Sequence, residues 1–512
     1  MFDGDGIDRR EFVRGSAAAA AGVWLGACAG KQVTPTAASA LPLPSYFAEN
    51  FGVTPELHRE VLAAALENGG DWADLFFQHG TSMSLSLEDN VINEAQTQVD
   101  LGVGIRVVAG DQTGYAFTES LDRKSMLNAA RTAAGVAKAA ARIPEHDATL
   151  MPSARYYDSA DWASVDVDRV MPLLEQLNER VRAKDPRVER VTVNFQGSQS
   201  VVMLVTSEGR VAYDHQPMTR AYLSVTMRDG DVRQANGANR AARAGLEFYT
   251  PERLEKLADE AYDKTEILFR AKTAPAGEMP VALAAGSSGI LLHEAIGHGM
   301  EADFNRNGVS IFADRIGKPV AEPFVSIVDS GTHPGHRGAI NIDDEGNESQ
   351  TTYLVENGTL RSYLHDRISA RHFGVEPTGS GRRQSFRHKP LPRMRSTYME
   401  NGPHEREEIF AAVKKGIYAV SFTNGQVDIG GGDYSFYVKN GFLIEDGKLT
   451  APIKDVNIIG NGPESLARIS MVANDFAFDE GGWTCGKDGQ GVPVSLGLPT
   501  VLVSKVVVGG AA

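Results

Sequence analysis

His293-Glu294-Ala295-Ile296-Gly297-His298 places two imidazoles and one carboxylate within six residues. That set suits metal-dependent hydrolysis: neutral His nitrogens bind an ion, and an adjacent Glu takes the proton from the water it activates. The helical HExxH signature spaces its histidines four apart, which puts both rings on one face. Here the spacing is five. On a regular α-helix, positions i and i+5 lie roughly 140° apart, too far round to share one ion. A wider turn of the i→i+5 kind would bring them back together, and such bulges are frequent at functional sites. Gly297 tolerates that distortion. The spacing therefore predicts both a metal site and a local helix defect.

The competing reading is an amphipathic helix that buries one histidine by chance. The flanks favour the metal. Gly286-Ser287-Ser288-Gly289 offers a turn and an N-cap, and Ile290-Leu291-Leu292 is a buried run into His293. Asn305-Arg306-Asn307-Gly308 then ends the segment. For a third ligand, Cys485 lies in a glycine-rich stretch from Gly481 to Gly491, where backbone can approach closely. Its thiolate would complete a His₂Cys site and leave the fourth zinc position open to water. Glu301, His333 and His336 are the alternatives, although Glu301 would have to reach back along its own short helix.

Two other clusters could carry chemistry. The loop Gly379 to His388 holds Arg382, Arg383, Arg387 and His388. Arg382, Arg383 and His388 could hold a substrate carboxylate or steady an oxyanion, or they could pair with the surplus of acids. Asp343-Asp344-Glu345 is expected to be a solvated turn rather than a second metal site, and His365 and His372 to be structural.

The elements that must position these groups divide near residue 275. Before it, helical periodicity marks Thr54 to Asn68, Arg123 to Ala141, Val167 to Ala183 and Pro251 to Arg270. Strand patterns mark Asp74 to Gln78, Ser82 to Glu88, Val99 to Val108, Val188 to Asn194, Ser200 to Ser207, Arg210 to Asp214 and Ala221 to Arg228. After it, the chain is rich in glycine and mostly strand-like. The fold class expected is α+β: a mixed sheet-and-helix domain over 51–275, then a mostly β, barrel-like domain over 276–512 carrying the metal-site helix.

The 512 residues, 42% hydrophobic and 23% charged, suit a globular protein, and a net charge of −15 argues against nucleic acid as the main partner. Residues 1–28 read as an export signal, with Arg9-Arg10 as a twin-arginine pair and Leu25-Gly26-Ala27-Cys28 resembling a lipobox. Cys28 would then be acylated and serve as a lipid anchor. Residues 29–50 read as a linker. The chain is expected to be exported as a periplasmic protein or membrane-anchored lipoprotein; the alternative is cytoplasmic. With only two cysteines, a structural disulfide is not expected.

The stretch from His293 through Gly299-Met300-Glu301-Ala302-Asp303-Phe304-Asn305-Arg306 resembles the signature of TldD metallopeptidases of the TldD/PmbA family. The likeness continues through Asp343 to Gly346, Gly379 to Arg383, Pro392-Arg393-Met394, Gly425 to Asp428 and Cys485 to Gln490, and in the first half through Ala73 to Phe77 and Gly102 to Arg106. The resemblance implies zinc on His293, His298 and Cys485, with Glu294 as catalytic base. It also implies short or unfolded peptides as substrate, and a homodimer or a heterodimer with a PmbA/TldE-type subunit. The export signal departs from that pattern. Two rivals remain: a dipeptidyl-peptidase type with a Glu as third ligand, and an exported zinc-binding scaffold or peptide-binding subunit without turnover.

Overall fold

The computed structural model describes residues 43–142, 149–150 and 161–510. The export segment, with Cys28, lies outside the described residues. The end of the expected linker is not free chain: Tyr46–Phe51 is helical and Phe47 is buried against Phe77. Its aromatic side chains outweigh the Pro/Ala/Ser character that marks a tether.

The first half is a seven-stranded sheet with helices on one face. Its central strands are longer than the sequence pattern suggests. Trp72–Glu88, Val188–Thr206 and Arg210–Asp229 each run unbroken where two short strands were expected. A Cβ at Gly197 would meet the Trp162 ring at 2.4 Å, so the glycine makes room for an indole and does not end the strand.

Alternation along Trp72–Glu88 sets the layers. Leu75 and Phe77 pack with the helices Pro55–Ala65 and Arg123–Ala134, while Met83, Leu85 and Leu87 pack with Val167–Lys184 and Pro251–Glu266. On the opposite face, Asp74 and Phe76 meet the second half of the chain, and Ser82 and Ser84 line an open groove with Gln96, Gln98 and Gln196.

The second half closes into a barrel. Strand Gly277–Leu283 pairs with Lys415–Val427 and Val501–Gly510, Val501–Gly510 with Val456–Asn461, and Val456–Asn461 with Asp433–Glu445, which returns to Lys415–Val427. A six-stranded sheet lies beside it and contains Ile327–Ser330, Ser396–Met399 and Ser495–Leu498. Among the described residues, no helix is long and apolar enough to cross a membrane.

Buried charge joins the halves. Arg106 Nε donates to Asp74 Oδ2 at 2.6 Å and its Nη1 to Glu345 Oε1 at 2.7 Å. Arg383 Nη2 donates to Asp74 Oδ1 at 3.2 Å and to the Asp344 carbonyl at 2.8 Å, with its guanidinium over the Phe76 ring. Gly102 and Gly104 allow the approach: a Cβ on either would strike Phe386 within 2.5 Å. The acidic turn is therefore not solvated as expected. Asp343 and Glu345 are buried, and Asp343 accepts from the Asn347 backbone N–H at 2.8 Å and the Gly381 N–H at 3.0 Å. Burial, and then Glu345, push the Asp343 carboxyl up to about 7.

Candidate metal centre

The strand Gly277–Leu283 leads into one α-turn, Gly289–Leu292, and then into the defect that the spacing predicts. His293–Gly297 is a π-turn in which the His298 N–H donates to the His293 carbonyl. Ser288 does not cap it through its side chain. Its neighbour Ser287 instead donates to the Val420 carbonyl and ties the turn to the barrel.

Gly297 has ordinary helical angles, φ −61° and ψ −48°, so backbone freedom is not its role. A Cβ there would come within 2.1 Å of Met394 Sδ. The residue is glycine because Met394, fully buried, packs against the bulge. Gly297→Ala is expected to cost about 1–3 kcal/mol by overpacking. A lowered urea midpoint would show it; an unchanged one would leave Met394 free to move aside.

The π-turn brings the rings together, with His293 and His298 centroids 5.1 Å apart and planes at 81°. Cys485 arrives from the hairpin Thr484–Lys487 and Gln490–Pro493. Its two-residue turn, Asp488-Gly489, has φ of 51° and 71°, as a primed turn requires. Cys485 Sγ lies 3.4 Å from His298 Nε2, and one ligand atom from each of the three residues lies within 4.8 Å of the others.

These side chains fit a zinc ion. Ligand atoms on one tetrahedral zinc stand about 3.3–3.6 Å apart, which the Cys485–His298 separation matches. Both ring nitrogens of His293 are buried without a hydrogen-bond partner, an arrangement costly unless something binds there. The three groups are also coupled electrostatically. Burial pushes the Cys485 thiol up, yet His293 and His298 outweigh it and hold it well below its ordinary value. Burial pulls His298 down, but Glu301 and Cys485 carry it well above. Glu294 stands apart from the buried trio: its side chain is 23% exposed, with Oε2 3.8 Å from His298 Nε2.

Glu301 occupies the other side of the His298 ring. His298 Nδ1 donates to Glu301 Oε2 at 3.0 Å, so Nε2 is the nitrogen turned to Cys485. Lys487 Nζ holds Glu301 Oε2 at 3.1 Å and Asp303 Oδ1 at 2.7 Å, and Arg393 Nη2 donates to the Cys485 carbonyl at 2.6 Å. Lys487 and Arg393 thus brace the hairpin against the bulge. The sequence showed both residues without showing this role, because their partners lie 184 and 92 residues away.

The remaining candidates lie elsewhere. His333 and His336 pack against the Phe478 ring, edge-on and tilted respectively. Arg382 donates to the Met394 carbonyl at 2.6 Å and the Pro493 carbonyl at 2.8 Å, Arg383 joins the inter-domain network, and His388 Nδ1 lies 3.2 Å from Ser385 Oγ. Both arginines are buried and committed to the protein itself.

Comparison with known proteins agrees with this geometry. Residues 73–137, 160–269 and 276–510 match, in order, domain 1, the central domain and the C-terminal domain of the PmbA/TldA metallopeptidases. The chain is 38% identical over 448 residues to the metalloprotease TldD homolog of Haemophilus influenzae, covering 86% of this chain and 93% of that protein. It is 38% identical over 244 residues to the zinc metalloprotease TldD homolog of Saccharolobus solfataricus, covering 47% of this chain and 54% of that one. Two solved structures share the fold. One is a Thermotoga maritima protein described as a candidate modulator of a DNA gyrase (TM-score 0.72, 22% identity, 89% of this chain and 99% of that one). The other is TldE from Thermococcus kodakarensis (TM-score 0.68, 19% identity, 88% and 100%).

Proposed function

Since the chain belongs to the PmbA/TldA metallopeptidase family, we propose that His293, His298 and Cys485 hold zinc and that Glu294 is the base for peptide-bond hydrolysis. The observation that carries this is the arrival of Cys485 Sγ beside a π-turned histidine pair 187 residues away. Two imidazoles and a thiolate form a zinc donor set, and the Saccharolobus relative is named for zinc.

When bound, zinc supplies Lewis acidity to the attacking water and the scissile carbonyl. The chain's own groups do the rest. Glu294, the exposed member of the cluster, accepts the proton from water at its carboxylate and returns it to the leaving amine. Glu301 fixes the His298 ring through Nδ1, while Lys487 and Arg393 hold Glu301 and the Cys485 backbone in place. The substrate is a short or unfolded peptide lying extended in the inter-domain cavity. That cavity, about 980 Å³, is lined by Trp483, two residues before Cys485, and by Gly286 and Ser287, ahead of His293. Backbone hydrogen bonding there would give affinity without demanding sequence.

Removing metal with a chelator is expected to abolish cleavage of an unstructured peptide, and one equivalent of zinc to restore it. Native rates from metal-free protein would end this reading. The likeness to TldE supports assembly with a second subunit of the same fold. Arg9-Arg10 and the Leu25 to Cys28 segment support export, with Cys28 as the anchor.

A further inference from the structure

The inter-domain cavity has one cation left over. Its other arginines and its lysine have carboxylate partners, and Asp479 accepts from the Gly481 N–H. Arg240 Nη2 meets Glu260 at 2.6 Å and its Nε meets Glu480 at 2.9 Å, Lys264 Nζ meets Glu260 at 2.5 Å, and Arg406 meets Glu407 at 3.0 Å. Asp475 accepts from the Thr500 N–H and hydroxyl, both at 2.7 Å. Arg220 has no such partner. Its Nε is buried without a hydrogen bond, and it forms no ion pair among the described residues.

The surroundings of Arg220 are built to hold the group in place. It stands on the strand Arg210–Asp229, opposite Gln196 and Ala241, and lies along the segment that leads to Cys485. A Cβ at Gly482 would come within 2.7 Å of Arg220 Cδ and 2.8 Å of its Nε, so the glycine is what lets the guanidinium lie there. The Gly482 N–H is in turn pinned by Asn239 Oδ1. Beyond it, Arg337 donates from Nε to the Trp483 carbonyl at 3.3 Å and from Nη2 to Thr484 Oγ1 at 3.4 Å, again without a carboxylate. Burial, then Arg220 and Arg243, push Arg337 down to about 10. Two guanidinium groups without a counter-charge thus flank residues 482–484 in a chain of net charge −15.

We propose that Arg220, backed by Arg337, is a carboxylate-binding subsite of this cavity that takes a peptide carboxylate, either the chain terminus or an acidic side chain. Guanidinium grips carboxylate through two parallel hydrogen bonds, and a low-dielectric wall strengthens the pair. The proposal deepens the peptidase reading and rests on it for where the peptide is cut. Gly482, against which Arg220 lies, is three Cα steps from Cys485, at most about 11 Å along the chain, so the subsite stands on the same segment as the proposed thiolate ligand.

The test reads binding in zinc-loaded Glu294→Gln protein, by titration calorimetry. The probes are acetyl-tetraalanine as free acid, its C-terminal amide, and an amide of equal length with one internal Glu. The free acid is expected to bind about 10–100-fold tighter than the plain amide, as one charge-assisted pair allows. Arg220→Gln should erase the difference and Arg220→Lys retain part of it, with zinc content and melting midpoint unchanged in both. An internal-Glu amide that matches the free acid would assign the subsite to acidic side chains, and one that matches the plain amide would assign it to the chain terminus. Equal affinity for all three probes, no binding of the free acid at millimolar concentration, or a preference that survives Arg220→Gln would overturn the proposal. Because no turnover is needed, cleavage that persists in Glu294→Gln would count against the proposed base while leaving the carboxylate preference standing.

Discussion

Glu294→Gln is expected to purify with its zinc and to cleave peptides about 10²–10⁴-fold more slowly, the usual contribution of a positioned base. The amide keeps the size and polarity of the carboxylate but cannot accept a proton at neutral pH. Glu294 is not needed to close the metal cluster, since His293, His298 and Cys485 already converge without it. Metal quantification alongside kcat separates the two roles. Turnover near wild type would remove Glu294 from the chemistry, whereas zinc loss would make it a ligand.

Cys485→Ala is expected to fail in the opposite way, at the metal. Losing an outer-sphere partner costs about 10–100-fold in affinity, and losing a ligand costs more. Zinc should therefore fall well below stoichiometric after dialysis against a weak chelator, and activity with it. The substitution leaves His298 Nε2 facing a void where the sulfur stood at 3.4 Å. Full zinc occupancy in this variant would exclude the thiolate. It would also return Glu301 to consideration, although Glu301 already holds the far nitrogen of His298.

The local geometry of the candidate site was legible from the sequence; its supports were not. A spacing of five forces a π-turn if both rings are to meet, and His293–Gly297 forms one. The barrel expected of the second half is present, because a glycine-rich chain of short strand patterns has few other ways to remove its edges. What failed was any inference that depended on distant partners. Asp343 and Glu345 look like a solvated turn because three acids in a row are locally polar. Their burial becomes intelligible only with Arg106, 239 residues before Glu345. Arg382 and Arg383 advertise a binding loop, yet carbonyls and Asp74 take their donors. Arg220 carried no motif at all, since a missing partner cannot be read from a list of residues. Gly297 was read as tolerating an unusual backbone, whereas the need there is for space beside Met394.

The Asp74–Arg106–Glu345 contact also bears on how the two halves are held in register. Arg106 pairs with a carboxylate of its own half and with one of the other half, and all three groups are about 1% exposed or less. Removing one partner of such a buried network costs about 3–5 kcal/mol, because the charge that stays behind is uncompensated. Neither half can therefore shed its share of this network alone, and the two carry each other's charges as one unit.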